Sequence, residues 1–313
     1  MQATNQRAWQ ARLALMLIVG VAAAAACVVA LMLWKAPVAS AQDEGGDPTG
    51  ANFVVSCGFT GQRAQVDPIV DFGGTAHHMH DFYGNTTTNA NSTYDTLLKG
   101  GTTCSKPEDK AAYWHPTVSW TPNRGKPKTL QASNTFFYYR AGLKDPASVK
   151  PFPAGLKIVT VQGKKVEWRC QNGTWSTTAP TRCDNGTLVV RIFFPDCLAL
   201  NSTTGQPLTD TRDAQGKTLY VPDDHRSHMV EATSAGCPTT HPYPVPRLQT
   251  NFLFKNTILT TRGKPTLSSG AYSTMHVDFF NAWVQTKLED LVKRCINEAP
   301  LFSASNPKDA DCL

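Results

Sequence analysis

The stretch Leu188-Val189-Val190-Arg191-Ile192-Phe193-Phe194 is the most apolar run of strand-favouring residues in the part of the sequence that we expect to fold, and Pro195 ends it. β-Branched and aromatic side chains suit a pleated, buried surface, and proline cannot donate to a hydrogen-bond ladder. The run therefore predicts a central β-strand. Shorter runs of the same kind lie at 52–57, 113–120, 135–140, 157–161, 166–170 and 251–254, and Gly, Pro or Asn residues lie near the ends of the three between 135 and 170. Short strands at this spacing favour an antiparallel β domain.

Two further segments have different patterns. Residues 67–72 are predicted to be an extended piece that leads into a group of histidines. Apolar residues recur every three or four positions between Trp283 and Cys295, which predicts a C-terminal helix from about 281 to 298. We find no internal repeat and no domain break. The expected fold is therefore one domain at 51–313, mainly β (a β-rich α+β fold), antiparallel and sandwich-like, with a C-terminal helix and disulfide links.

The N-terminal part of the sequence resembles an export signal. Residues 13–34 are uncharged, mainly apolar and numerous enough to span a bilayer, and Arg7 and Arg12 precede them. The small residues at 39–41 fit a signal cleavage site, although the apolar stretch is longer than an ordinary signal core. Residues 1–41 are thus a signal peptide, which we favour, or a membrane anchor that keeps its N-terminus inside. Either outcome makes the rest of the chain secreted or cell-surface.

The charge of the chain limits the classes of partner. A polar, glycine-rich tether at 42–50 precedes the domain. The net charge is +6, and three basic residues with no acidic residue lie before residue 42, so the exported part carries 6 − 3 = +3. Such a small excess does not predict binding to nucleic acid.

Eight of the nine cysteines lie outside the apolar segment, which contains Cys27. An even set of cysteines in an exported domain indicates four disulfides. Eight cysteines allow about a hundred connectivities, so the sequence leaves the pairing open. The pairs that we predict are Cys57–Cys104, Cys170–Cys183, Cys197–Cys237 and Cys295–Cys312. A cysteine zinc site is disfavoured because no Cys-x-x-Cys spacing occurs.

Three of the eight histidines lie within residues 75–85. His78 and His80 are two residues apart, so on a strand their side chains share one face, with Met79 and Asp81 on the other. Two imidazoles on one face can bind a metal ion, shuttle a proton or hold an anionic or hydroxylated ligand. The alternative is that these are ordinary surface or half-buried histidines beside a turn.

His276 and Asp278 form a second pair with the same spacing. Asp278 could fix a histidine tautomer or add a carboxylate for acid–base work. His228 is an equally open candidate. An ordinary structural role is favoured for three other histidines, His115, His225 and His241. No Gly-x-Ser-x-Gly, His-Glu-x-x-His or phosphate-binding glycine loop is present, so no established signature identifies a reaction.

Seven motifs nevertheless occur in a fixed order along the chain. They are Asp67-Pro68-Ile69-Val70; His78-Met79-His80 with Gly84-Asn85; Thr102-Thr103-Cys104-Ser105 and Asp109-Lys110 with Tyr113-Trp114; Phe194-Pro195-Asp196-Cys197; Ser227-His228-Met229; Cys237-Pro238-Thr239-Thr240-His241-Pro242; and His276-Val277-Asp278-Phe279 with Asn281 and Trp283. Together they resemble an uncharacterised secreted domain of filamentous fungi and actinomycetes, the domain-of-unknown-function family numbered nineteen ninety-six. The resemblance covers roughly residues 52–297.

The resemblance implies an extracellular domain with a cluster of histidines and no agreed activity. The polar positions that the family shares fall here on His78, His80, Asp109, Lys110, Tyr113, His228, His241, His276, Asp278 and Asn281. The sequence has Leu198-Ala199-Leu200 where the family has Trp-Asp-Gly, and Ala76-His77 where the family has Ser-Pro. The first departure removes an aromatic ring and a carboxylate that could have lined a site.

Our leading hypothesis is that the histidines converge on one pocket that binds or cleaves a polysaccharide or another cell-envelope polymer. An enzyme of this kind would be a carbohydrate-active hydrolase or lyase. The candidates for acid, base or metal ligand are His78, His80, His228 and His276, with Asp278 as the orienting carboxylate. A divalent metal could bind the histidine cluster. The further ligand-binding candidates are Asp109, Lys110, Tyr113, His241 and Asn281.

The alternative is a non-catalytic envelope-binding or structural module in which the same histidines form a buried hydrogen-bonded network. Exposure of the side chains separates the two hypotheses. Catalytic histidines must line a cleft, whereas structural histidines should be buried with fixed partners.

Overall fold

The computed structural model describes residues 50–160, 163–210, 228–299 and 310–313. The predicted signal peptide or anchor at 1–41, the tether as far as residue 49, and His225 lie outside these ranges. No helix within the described ranges combines the length and the apolar character needed to cross a bilayer.

Most of the regular structure is β. In chain order the strands are β1 (Asn52–Ser56), β2 (Phe59–Ala64), β3 (His80–Gly84), β4 (Ala112–Pro116), β5 (Val118–Pro122), β6 (Lys128–Thr129), β7 (Ala132–Arg140), β8 (Lys157–Val159), β9 (Val166–Cys170), β10 (Thr187–Phe193), β11 (Cys197–Leu198), β12 (Met229–Val230), β13 (Tyr243–Pro244), β14 (Arg247–Lys255), β15 (Gly263–Leu267), β16 (Gly270–Ala271) and β17 (Asp278–Phe280). The α-helices are α1 (Tyr94–Leu98) and α2 (Gln285–Val292), and a π-helical turn, Lys293–Asn297, continues α2. Short 3-10 turns are Pro146–Ser148, Thr257–Thr260, Tyr272–Thr274 and Ala310–Cys312.

The most apolar run of the sequence lies inside a five-stranded antiparallel sheet of order β1-β7-β14-β10-β9. This run forms β10, which pairs with β14 on one side and β9 on the other. The residues from Thr187 to Ile192 are all buried. The prediction of a central strand is therefore confirmed in the sense that both edges of β10 are hydrogen-bonded.

A second five-stranded antiparallel sheet has the order β2-β3-β4-β17-β8. Its inner face packs on the first sheet. The ring of Tyr113 stacks on Phe137 with centroids 3.9 Å apart, and the rings of Tyr83 and Phe252 lie 5.3 Å apart. The predicted antiparallel sandwich is confirmed. Two smaller sheets, β16-β15-β5-β6 and β12-β11-β13, complete the strand pairing described.

The outer face of the second sheet carries a separate apolar cluster. Because side chains alternate along a strand, Tyr83 and Tyr113 belong to the main core, whereas Phe82 and Trp114 belong to the outer cluster. The rings of Phe82 and Trp114 stack with centroids 5.6 Å apart. Ile69 and helix α1 complete the cluster. This face is thus buried by local chain segments rather than by another sheet.

The prediction of an extended segment at 67–72 is wrong. Residues 68–70 form a turn. The side-chain Oδ1 of Asp67 accepts hydrogen bonds from the backbone amides of Ile69 and Val70, both at 2.9 Å. An aspartate that bonds to amides two and three residues ahead favours a turn over extended chain. The turn buries Asp67 and Ile69 against the outer face of the second sheet.

The C-terminal helix begins a few residues later than predicted. The chain is still in β17 at Phe280, and Trp283 forms an isolated β-bridge with Asp109. This pairing keeps the chain extended until α2 begins at Gln285. The apolar positions that predicted the helix are correct, since Leu288 and Leu291 are fully buried.

All four predicted disulfides are confirmed. They are Cys57–Cys104, Cys170–Cys183, Cys197–Cys237 and Cys295–Cys312. Disulfides form and persist in oxidising compartments, so four of them are typical of an exported protein.

Removal of the Cys197–Cys237 disulfide should destabilise the fold more than removal of Cys170–Cys183. Each pair contains one buried and one half-buried cysteine, so the comparison isolates loop length. The sequence separations are 40 and 13 residues, for which the chain-entropy relation gives about 4 and about 3 kcal/mol. Denaturant unfolding of the C197A/C237A and C170A/C183A variants measures both losses. An equal or reversed order would contradict the prediction.

Candidate functional site

Strands β3 and β17 lie on either side of β4 and carry the two predicted pairs. His80 opens β3 and Asp278 opens β17, where it lies opposite Trp114 of β4. Alternate residues share a face, so His80 and Asp278 point to the outer face of the second sheet, as Trp114 does. His78 and His276 precede them by two residues and extend the same face. The pleat thereby brings the two pairs together.

Three imidazole rings meet at this position. The Nε2 atoms of His78 and His276 lie 3.3 Å apart, although the residues are separated by 198 positions in sequence. The ring centroid of His80 lies 4.4 Å from that of His78 and 5.9 Å from that of His276. One nitrogen from each ring lies within 4.8 Å of the other two. Three of the four histidines predicted to converge do so.

Backbone carbonyls fix the orientation of two of these rings. His80 Nδ1 donates to the carbonyl oxygen of Val66 at 2.9 Å, and His276 Nδ1 donates to that of Thr274 at 2.9 Å. With the proton on Nδ1, the Nε2 atom of each neutral ring carries a lone pair. His80 Nε2 has no hydrogen-bond partner within the described ranges. Both rings therefore keep an electron pair available on Nε2.

Asp278 brings a carboxylate to the same place. Its side chain is fully buried, and neither oxygen accepts a hydrogen bond from the residues that the structure describes. Its Oδ2 lies 3.9 Å from His276 Nε2. Burial raises the pKa of Asp278 well above its usual value, and the neighbouring Asp67 raises it further. An unpartnered buried carboxylate is uncommon and requires an explanation, such as a catalytic role or a bound ion or water.

The three imidazoles of the cluster are mainly neutral near pH 7. Burial lowers the pKa of His80 to about 2 and that of His276 to about 4. Burial also lowers the pKa of His78, with a smaller contribution from His77. The pKa of Asp67 is raised to about 6 by burial against the opposing effect of two backbone amides. Neutral imidazoles can accept a proton or donate an electron pair to a metal ion.

His78 connects the cluster with solvent. Its side chain is half-buried, whereas His80 and His276 are 0% and 5% exposed. The exposed neighbour His77 lies with its Nδ1 3.4 Å from Oδ2 of Asp71. A ligand from outside therefore meets His78 first.

The residues that could hold a metal ion form two overlapping groups. One consists of His78, His80 and His276, and the other of Asp67, His80 and Asp278. Within each group the ligand atoms lie within 4.8 Å of one another. The donors are imidazole nitrogen and carboxylate oxygen, which suit zinc and related transition metals.

His228 does not join the cluster. Its Nε2 donates to the carbonyl oxygen of Lys157 at 2.9 Å, on the side of β8 that faces away from β17. Burial lowers its pKa to about 4, against the opposing effects of the bond to Lys157 and of Asp210. The prediction that His228 converges with the other histidines is wrong, because the two-residue spacing that aligns the pairs has no counterpart at this position.

Asp109 and Tyr113 have structural roles in the main core. The Tyr113 hydroxyl donates to Asp109 Oδ2 at 2.8 Å and lies 2.5 Å from the hydroxyl of Tyr139. Trp283 Nε1 donates to the Tyr139 hydroxyl at 2.9 Å. Tyr113 lies on the inner face of the second sheet, opposite to the histidine cluster. The chain of bonds ties β4, β7 and the segment before α2 together.

The other predicted ligand-binding residues also lie apart from the cluster. Asn281 is fully buried and donates through Nδ2 to the carbonyl of Pro153 at 2.7 Å. Lys110 is half-buried, and its carbonyl accepts a bond from the side chain of Asn85. His241 follows the Cys237 disulfide and lies with Nδ1 3.0 Å from the hydroxyl of Thr240.

The sequence reasoning missed Asp67, the one cluster carboxylate besides Asp278. The available signal was its position at the start of the Asp67-Pro68-Ile69-Val70 motif, where an aspartate before proline is typical of a turn. The prediction of an extended segment at 67–72 did not take this signal into account. The carbonyls that orient the rings, on Val66 and Thr274, have no signature in the sequence.

Comparison with known proteins gives one match. The family described as Domain of unknown function (DUF1996) matches residues 67–283, a range that contains every residue of the cluster. No curated protein and no solved structure matches the chain.

Replacing Asp109 with asparagine should change how stability depends on pH. Burial raises the pKa of this carboxyl from 3.8 to about 7, so the folded protein retains a proton that the unfolded chain releases. The contribution of this carboxyl to the free energy of unfolding is fully present below about pH 4. It falls by up to about 4 kcal/mol as the pH rises to about 7. The D109N variant should lack that fall. Urea unfolding of the unsubstituted protein and of D109N between pH 4 and 7.5 measures the difference. The same dependence of the free energy of unfolding on pH in both proteins would contradict this role of Asp109.

Proposed function

The chain belongs to the DUF1996 family, whose description assigns no activity, and we propose that its domain binds and cleaves an extracellular or cell-envelope polysaccharide. One observation carries the proposal. A cavity lies on the outer face of the second sheet, the face that also carries the histidine cluster, although no residue of that cluster lines it. Phe280 lines the cavity, and Asp278 is the next residue on the same face of the same strand.

The cavity has a volume of about 390 Å³, within the ordinary range for small-molecule pockets. Its lining consists of Phe72, Ser92, Thr93, Tyr94, Gly155, Lys157, Asp210 and Phe280. Lys157 Nζ forms a 2.9 Å ion pair with Asp210 and lies 5.2 Å from the ring centroid of Phe280. Charged, hydroxyl and aromatic groups thus line the same cavity.

This lining suits a carbohydrate. A pyranose ring has apolar C–H faces, which stack on aromatic rings, and a rim of hydroxyls, which bond to polar side chains. Phe72 is 49% exposed, so its ring is accessible to a ligand in the cavity. Tyr94 packs against the outer apolar cluster and is held beside the cavity. The sugar hydroxyls would form hydrogen bonds with Ser92, Thr93 and Asp210.

The histidine cluster would supply the reactivity. Hydrolases and lyases both require a group that takes a proton or activates an oxygen, and neutral imidazoles can do this directly or by holding a metal ion. His78 is the member that solvent reaches. Asp278 would orient the rings and balance positive charge. The place of action is outside the cell, since the domain has four disulfides; residues 1–41 would either be removed or tether the domain to the membrane.

A second candidate is a non-catalytic envelope-binding module. It is favoured by the burial of His80, His276 and Asp278, which are at most 5% exposed. In such a module the sugar cavity would still bind its ligand. The half-buried His78 would then have no catalytic role.

Phe72→Ala and Tyr94→Ala should each weaken polysaccharide binding about tenfold, because each removes a stacking ring worth about 1.4 kcal/mol. Leu143→Ala is the matched control, since Leu143 is also 49% exposed but does not line the cavity. Affinity electrophoresis with a soluble β-glucan, chitin oligosaccharides and a uronate polymer measures the effect. Equal affinities of F72A, Y94A and L143A for the bound polymer would reject the cavity as the binding site.

His78→Ala should leave that binding intact and reduce product formation at least about 100-fold, the usual loss when an acid–base or metal group is removed. Release of reducing or unsaturated ends from the bound polymer is the measurement. Unchanged turnover would exclude the cluster from the chemistry. Binding without turnover in the unsubstituted protein would favour the non-catalytic module.

A further inference from the structure

We propose that His78, His80, His276 and Asp278 bind one divalent transition-metal ion of the zinc class. The assignment deepens the proposed function by naming its cofactor, and rests on that function only for what the ion would do. The site itself follows from the geometry of the four side chains.

The two buried rings are oriented as metal ligands are. Metal-bound histidines commonly donate their second ring N–H to a backbone carbonyl or a carboxylate, which fixes the tautomer and the ring plane. His80 and His276 both do this through Nδ1, to Val66 and Thr274. Their Nε2 atoms are thereby left with lone pairs that a metal ion could bind.

The spacing of the nitrogens fits one ion. Two nitrogens bound to a tetrahedral zinc at about 2.0–2.1 Å are roughly 3.3–3.4 Å apart. The Nε2 atoms of His78 and His276 are 3.3 Å apart. Oδ2 of Asp278 lies 3.9 Å from His276 Nε2, which makes this carboxylate the candidate for the fourth ligand.

A hydrogen bond between His78 and His276 is the competing explanation of the short distance. In that arrangement His78 would donate and His276 would accept. It leaves His80 Nε2 and both oxygens of Asp278 buried without a partner among the residues described. A bound cation would give a partner to His80 Nε2 and to one oxygen of Asp278. The metal site is therefore the more complete explanation.

The donor set selects the kind of ion. Three imidazoles and one carboxylate favour zinc and its neighbours among the transition metals, whereas calcium and magnesium prefer oxygen ligands. Asp67, whose Oδ1 already accepts two backbone amides, lies against His80 and Asp278 as an outer carboxylate. His78 is half-buried, so an ion held here would be accessible from solvent.

The test is a zinc titration of the full chain after removal of metals with a chelator, in competition with a chromophoric chelator. We expect one zinc per chain. His276→Ala and Asp278→Ala should each weaken binding by at least about 100-fold, more than the loss of an outer partner usually costs. His228→Ala is the matched control, because His228 is also a buried histidine with an unpartnered ring nitrogen, yet lies outside the cluster. It should bind zinc as the unsubstituted protein does.

His78→Gln keeps the test decisive if the buried variants do not fold, because His78 is half-buried and lies outside the strands. It should fold and weaken zinc binding at least about tenfold. Failure of the unsubstituted chain to bind one zinc, or equal binding by H78Q and H228A, would overturn the assignment. No saccharide is present in this titration, so its outcome is independent of the polysaccharide. Zinc binding without saccharide binding would reject the proposed function alone, and saccharide binding without zinc binding would reject the metal site alone.

Discussion

The alternation of side chains along β3 and β17 is the constraint on which the rest of the structure depends. One set of residues points inward, where Tyr83 and Phe279 join the main core. The other set points outward, where His80 and Asp278 meet across β4. A shift of either strand by one residue would exchange the two sets and would destroy core and cluster together. The pairing of β4 with both neighbours therefore fixes the site as firmly as it fixes the fold.

The same sheet carries two buried polar groups of residues, which differ in whether their hydrogen bonds are satisfied. On the inner side, the bonds from Asp109 through Tyr113 and Tyr139 to Trp283 link every member to a partner. On the outer side, Asp278 has no hydrogen-bond partner in the described part of the chain. Leaving a buried polar group unpaired costs about 1–3 kcal/mol, and more if it is charged. The sandwich core and four disulfides can offset such a cost, and a bound ion would remove it.

The sequence predicted the parts of the fold that depend on local pattern. The apolar run of β10, the buried face of α2 and the two-residue spacing of the histidine pairs all follow from the period of a strand or helix. It did not predict the turn at Asp67, because two side-chain hydrogen bonds override an apolar segment that resembles a strand. The prediction that His228 joins the cluster was wrong, because no local sequence pattern indicates on which side of β8 that residue lies. The family resemblance named the polar positions but could not separate Asp109, which supports the core, from Asp278, which belongs to the cluster.

The most direct measurement of the central claim is X-ray absorption at the zinc edge on the full chain loaded with one equivalent of zinc. We expect three imidazole nitrogens at about 2.0–2.1 Å, one carboxylate oxygen at about 2.0–2.2 Å and a further position open to water, as a catalytic zinc requires. Multiple scattering from the rings should be visible, and H276A should lose one imidazole. A first shell made only of oxygen, or the same spectrum for H276A, would contradict the claim that the outward residues of β3 and β17 form a metal centre.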